Sequence, residues 1–228
     1  MLKGFIMYRR HFHRLLVAGA VATLVLAQAL IPARAADEAA DAMILQLSTE
    51  VLDAIKADAA IRNGDLNRLI ALVDNKIMPN VNFQRMTASS VGPGWRKATP
   101  EQKKRLQEEY KTLLVRTYAG ALSQVNDMVV SVKPMRGGAE DKEVVVRTEV
   151  KGKGEPIQLD YRLEKTPGVG QGWKIYNLNV MGVWLVETYR SQFAQEVNAK
   201  GIDGLIASLV ERNKANASAN ASAGAQKG

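Results

Sequence analysis

The chain has 228 residues, a formal net charge of +8 and no cysteine, which excludes disulfides, a lipidated cysteine anchor and thiolate chemistry. Its two histidines, His11 and His13, both lie near the N-terminus. Beyond them the chain cannot build a Ser-His-Asp triad, a Cys-His pair or the common zinc sites.

The N-terminal segment reads as an export signal. Lys3, Arg9, Arg10 and Arg14 precede an apolar stretch over residues 15–31, and Ala33-Arg34-Ala35 supplies a small-x-small cleavage site. Asp37 and Glu38 follow at once, which favours cleavage after Ala35 over an uncleaved membrane anchor. Arg9-Arg10-His11-Phe12 is similar to a twin-arginine signal, although the general secretory route accounts for the rest of the pattern. Residues 1–35 hold five Lys and Arg and no Asp or Glu, so the remainder carries 26 basic against 23 acidic residues. With the charge excess gone, a nucleic-acid partner loses its main electrostatic support.

The mature part, residues 36–228, is the size of one domain. Residues 38–57 carry Ile44, Leu47, Val51 and Ile55 at helical spacing. Asp65 can cap a second helix with Leu66, Leu69, Ile70, Val73 and Ile77 on one face, stopped by Pro79. Asn80 can cap a short third helix bearing Val81, Phe83 and Met86, and Gly92-Pro93-Gly94 ends it in a loop. Thr99, Pro100 and Gln102 then form a capping box that starts a helix running to about residue 123. Leu106, Tyr110, Leu113, Leu114, Tyr118 and Ala121 make its apolar face.

The period then changes from helix to strand. Residues 128–132 read as a strand, and Gly137-Gly138 as a turn. In residues 143–150, Val144, Val146, Thr148 and Val150 alternate with a mostly polar side. In residues 156–164, Ile157, Leu159, Tyr161 and Leu163 alternate with Gln158, Asp160, Arg162 and Glu164. Such alternation predicts one buried and one wetted face. Residues 173–180 form a fourth strand whose phase the sequence leaves open: both sides are partly covered, or a bulge intervenes. Gly182 opens a helix with Val183, Val186, Tyr189, Phe193 and Val197, Gly201 caps it, and Asp203 starts a last short helix. Residues 213–228, rich in Asn, Ala, Ser and Gly, have no core to bury and are expected to be disordered. The predicted class is α+β: one domain over residues 36–212, with a four-stranded antiparallel sheet packed on a helical layer.

No catalytic constellation stands out. Glu108, Glu109, Asp160, Glu164 and Glu187 read as solvated carboxylates, and Gly92-Pro93-Gly94 lacks the Gly-Lys-Ser/Thr of a phosphate loop. Lys151, Lys153, Arg162, Lys165 and Lys174 make the sheet basic, either as solvated pairs with Glu149, Asp160 and Glu164 or as a docking or headgroup surface. Spacing alone does not separate a filled apolar core from a pocket.

The order of several short motifs resembles the MlaC, or toluene-tolerance, family. They are Pro79-Asn80-Val81-Asn82-Phe83, Trp95-Arg96-Lys97-Ala98-Thr99-Pro100-Glu101-Gln102 and Tyr118-Ala119-Gly120-Ala121-Leu122. Trp173 to Val183, Thr188 to Phe193 and Lys200-Gly201-Ile202-Asp203-Gly204-Leu205 continue the match. The resemblance spans about residues 36–212. It implies a periplasmic carrier of glycerophospholipid, without cofactor, metal or catalytic residues. Its implied partners are an outer-membrane lipoprotein–porin complex and an inner-membrane ABC-transporter complex. It also implies an acyl-chain cavity between sheet and helices. Joined to the strand alternation, it makes Leu114, Tyr118, Val146, Leu159, Tyr161, Leu163 and Trp184 the expected lining. Two other classes stand beside it: a structural or adaptor module with a filled core, and an enzyme built on paired carboxylates, such as a glycan hydrolase. The export reading predicts that N-terminal sequencing of secreted protein begins at Ala36. A membrane-fixed chain still starting at Met1 or Met7 would overturn it.

Overall fold

The computed structural model describes residues 39–122, 127–135 and 141–225. The expected signal segment and the Gly137-Gly138 turn lie outside the described residues.

Among the described residues, five α-helices precede the sheet. Helix α1 (Ala40–Ala57) buries Ala40, Met43, Ile44, Leu47, Leu52 and Ile55 along one side. Asp58 caps the single-turn α2 (Ala59–Arg62), accepting from the Ala60 and Ile61 amides. Asp65 caps α3 (Leu66–Leu72) as expected, accepting from the Asn67 and Arg68 amides. That helix widens into a π turn over Val73–Ile77 and tightens into a 3-10 turn at Met78–Asn80, where Pro79 ends it. Helix α4 (Phe83–Val91) is capped by Asn82, not Asn80, because Val81 is held extended by a parallel bridge to Ile175. Helix α5 (Pro100–Leu122) starts with the expected capping box: the Thr99 hydroxyl accepts from the Gln102 amide, and the Gln102 side chain accepts from the Thr99 amide.

The sheet follows as β1 (Val129–Val132), β2 (Glu143–Lys151), β3 (Ile157–Lys165), β4 (Trp173–Val180) and β5 (Val183–Trp184). Among the described residues it therefore has five strands, antiparallel throughout and in chain order, rather than four. The extra strand is the start of the helix expected after Gly182. Val180 pairs directly with Val183, leaving Met181 and Gly182 as a two-residue turn, both at positive φ (51° and 88°). That is the geometry whose twist suits a tight hairpin, and glycine adopts it without strain. Two residues are too few to announce a strand by alternation.

Strand β4 contains the bulge that its mixed pattern allowed. Leu163 pairs with Ile175, whereas Arg162 pairs with Asn177, so Tyr176 is the extra residue. The phase flips there: Trp173 and Ile175 point inward before the bulge, Leu178 and Val180 after it.

Helix α6 (Leu185–Ala225) follows, and Gly201 at positive φ (71°) breaks it into two helices where a cap was expected. Beyond the break Asp203 accepts from the Gln102 side chain of α5 at 2.7 Å. Residues 213–225 continue α6 where a disordered tail was expected. Alanine is the strongest helix former, and Asn213 is buried, donating to the Glu109 carboxylate at 2.6 Å.

Asn177 fastens α6 to the sheet. Buried in β4, its carbonyl accepts from the Val186 amide at 3.1 Å and its amide donates to Glu187 at 2.8 Å. The first turn of α6 thereby gains partners that its own helix cannot supply. Replacing Asn177 with alanine leaves a buried N–H unsatisfied and should cost about 1–3 kcal/mol. Denaturant unfolding measures it: the midpoint should fall with an unchanged slope, and an unchanged midpoint would contradict this role.

Candidate ligand-binding cleft

Among the described residues the buried apolar side chains fall into three clusters. One joins α4, α5 and α6 around Phe83, Tyr110, Tyr189 and Phe193, whose ring centroids lie 5.0–5.6 Å apart. A second packs α1 on the sheet through Ile44, Leu47, Val144, Val146, Leu163 and Ile175. A third joins α1, α3 and α5 to the far end of β1 and β2. A domain of this size more often has one contiguous core. Here the seams are bridged by side chains that are only half-buried: Met78 touches the first and third clusters, Val81 the first and second, Val51 the second and third.

On its inner face β2 is buried along its length through Val144, Val146, Thr148 and Val150, whereas β3 and β4 are sealed at one end and accessible at the other. Val144, Val146, Leu163 and Ile175 are buried; Ile157, Leu159, Tyr161, Leu178 and Val180 keep accessible surface although they point the same way. On α5, Leu113 and Val115 are buried while Leu114 and Tyr118 are half-buried. Apolar surface that faces inward yet stays accessible outlines a cleft rather than a filled core.

The expected lining residues divide on this basis. Leu159, Tyr161, Leu114 and Tyr118 belong to the accessible strip. Val146 and Leu163, each fully buried, form solid core under α1. Trp184 is not inward at all. It sits on β5 opposite Asn179, with the Arg162 guanidinium 4.0 Å from its ring, because the helix expected from Gly182 begins only at Leu185. Leu178, Val180 and Met78 belong to the strip and escaped the sequence reading. The mixed pattern of residues 173–180 admitted a bulge without locating it, so the side on which Leu178 and Val180 fall stayed open.

Burial raises the pKa of the Tyr161 phenol, and hydrogen bonds with the Ser48 and Thr148 hydroxyls work against that rise. Burial likewise pushes Tyr118 up. Both phenols stay neutral at physiological pH and add no charge to the strip.

The opposite face of the sheet is polar. An open groove of about 760 Å³ there is lined by Lys133, Glu143, Arg147, Arg162 and Tyr176. Arg85 of α4 reaches across the rim, bonding Glu143 at 2.6 Å and Glu164 at 2.5 Å, with its guanidinium 3.6 Å from the Tyr176 ring. Arg162 pairs with Glu187. The expected solvated pairs appear with partly different partners: Lys151 meets Glu149 at 2.9 Å, Lys153 meets Asp127, and Lys174 donates to the Pro79 carbonyl. Among the described residues no cluster of three or more His, Cys, Asp or Glu could hold a metal ion.

Comparison with known proteins decides the relationship. The MlaC protein family profile matches residues 45–211. The chain belongs to the MlaC family. Among curated MlaC-family relatives, the toluene tolerance protein ttg2D of Pseudomonas putida is 30% identical over 158 residues, 68% of this chain and 72% of its own length. The intermembrane phospholipid transport system binding protein MlaC of Haemophilus influenzae is 23% identical over 192 residues, 83% of this chain and 89% of its own. A solved phospholipid-binding protein from Ralstonia solanacearum, in complex with a phospholipid, is 45% identical. It covers 79% of this chain and 99% of its own, with a TM-score of 0.76, so the helices and antiparallel sheet described above are the MlaC fold.

The rim carboxylates generate a pH dependence. Hydrogen bonds from Arg85 and Tyr176 hold Glu143 below the usual carboxylate range, against the effect of burial. At Glu187 burial acts to raise the pKa, but the bonds from Asn177 and Arg162 outweigh it and the net shift is downward. Groups depressed on folding add stability above the unfolded pKa, about 4.3 for Glu, and lose it as pH falls through the folded value. Melting temperature should therefore drop as pH falls from about 5 toward 3, and less steeply in Glu143→Gln/Glu187→Gln. Parallel melting curves for the two proteins would rule out the coupling.

Proposed function

We propose that this protein is a periplasmic carrier that holds a glycerophospholipid by its acyl chains and moves it between outer- and inner-membrane complexes. The observation that carries the reading is the accessible apolar strip of Leu159, Tyr161, Leu178 and Val180 on the sheet, with Leu114 and Tyr118 half-buried on the helical cluster that Leu178 and Val180 pack against. The phospholipid bound by the 45%-identical Ralstonia protein supports it. The Haemophilus relative, an intermembrane phospholipid transport system binding protein, supports the transport part. The partners in this reading are the lipoprotein–porin complex of the outer membrane and the ABC-transporter complex of the inner membrane.

The energetics suit exchange. Burying a methylene is worth about 0.8 kcal/mol, so two long acyl chains represent on the order of 20 kcal/mol against water. A bilayer offers nearly the same stabilisation, so transfer between membrane and protein runs close to balance. The carrier then needs no energy source of its own, and direction comes from the complexes it meets. Three of the five candidate carboxylates are held by neighbours: Glu109 by Arg105 and Asn213, Glu164 by Arg85 and Asn82, Glu187 by Arg162 and Asn177.

Native mass spectrometry of gently purified protein should show an added mass near that of a phospholipid, and the bare polypeptide mass alone would refute the carrier. A pair of substitutions then separates cleft from core. Leu159→Glu places a carboxylate where it can reach solvent or the emptied cleft, so lipid should be lost while melting changes little. Leu163→Glu buries an unpaired charge under α1 and should cost several kcal/mol. If Leu159→Glu unfolds as severely as Leu163→Glu, the strip is solid core.

A further inference from the structure

The inward side chains of β3 pass from accessible to sealed in a single step. Ile157 and Leu159 keep accessible surface, Leu163 has none, and Tyr161 stands between them. Its neighbours repeat the boundary. Across β2 it pairs with the fully buried Val146, and across β4 with the half-buried Leu178. Behind it lies the cluster that α1 packs on the sheet, with Ile44, Leu47, Val144 and Leu163 all buried.

Tyr161 packs against the cluster that α1 forms with the sheet, and its ring offers the cleft a broad apolar surface. A chain terminus meeting it pays no desolvation of a polar group, but it also finds no space beyond, because interiors packed to native density do not yield a methylene's volume cheaply.

We propose that Tyr161 is the end stop of the acyl-chain cleft: its ring sets how far a fatty chain runs toward α1, and so which chain lengths the protein accepts. This rests on the carrier reading and deepens it, because it assigns selectivity for chain length to one side chain. The rim residues on the outer face play no part in it.

The size of the effect follows from pocket discrimination. A methylene that does not fit is rejected by about tenfold or more. Delipidated full-length protein is offered an equimolar mixture of saturated phosphatidylglycerols of graded chain length, and native mass spectrometry reads which species bind. Wild type should prefer its longest fitting chain over the next longer by about tenfold or more. Tyr161→Ala should shift the bound distribution to longer chains and reduce that preference toward one. Tyr161→Trp should shift it to shorter chains, and Tyr161→Phe should leave it in place, since the ring remains. If Tyr161→Ala does not fold, Tyr161→Leu decides in the same readout, with a shift to longer chains expected. Distributions identical to wild type in folded Ala, Leu and Trp variants overturn the proposal. So does a folded variant that binds nothing, because a stop limits a chain and does not hold it. Wild type that binds none of the lipids would instead refute the carrier reading itself.

Discussion

A sheet with one apolar face must have that face covered, and a helix covers only the strip beneath it. In this protein the cover comes from two groups of helices that approach from different sides. Helix α1 lies on the β1 and β2 side and seals the inner face around Val144, Val146 and Leu163. Helices α4, α5 and α6 pack on one another around Tyr110 and Phe193, and meet the sheet through Leu178 and Val180 at the end of β4. The remaining inner face is lined by half-buried apolar side chains. Every functional property argued above depends on that incomplete closure, because a filled core of the same composition would have nothing to hold.

An unfilled interior is costly, and its walls need support from elsewhere. The outer face supplies it. Arg85 ties the start of α4 to Glu143 and Glu164 on β2 and β3, and Asn177 and Arg162 tie the start of α6 to β4 and β3 through Glu187. The bulge at Tyr176 makes both arrangements possible. It turns Leu178 and Val180 inward, aligns Asn177 with the first turn of α6, and leaves the Ile175 carbonyl to accept from the Asn82 amide ahead of α4. The polar rim therefore anchors the helical wall without filling the space beneath it.

The legible part of this fold was whatever repeats. Alternation in β2 and β3 assigned their faces correctly, and the Thr99-Pro100-Gln102 box marked the start of α5. Features that occur once were not legible. The mixed pattern of β4 admitted a bulge but did not locate it, so Leu178 and Val180 could not be placed. The two-residue β5 was read as helix, which put Trp184 on the wrong face. Val146 and Leu163 share their phase with Leu159 and Tyr161, yet only the first two are sealed by α1. Periodicity reports which way a side chain points, whereas the distance to whatever lies opposite is set by tertiary packing.

Strand order in the sheet follows chain order from β1 to β5 without a crossover. Each strand therefore finds its partner close by in sequence, and the loop-closure entropy of building the sheet stays small. The covering contacts are different: α1 precedes the whole sheet and α6 follows it. Contacts that close the longest loops carry the largest entropic cost. The sheet is thus a floor built from neighbouring hairpins, whereas the walls of the cleft rest on the most entropically burdened contacts of the fold.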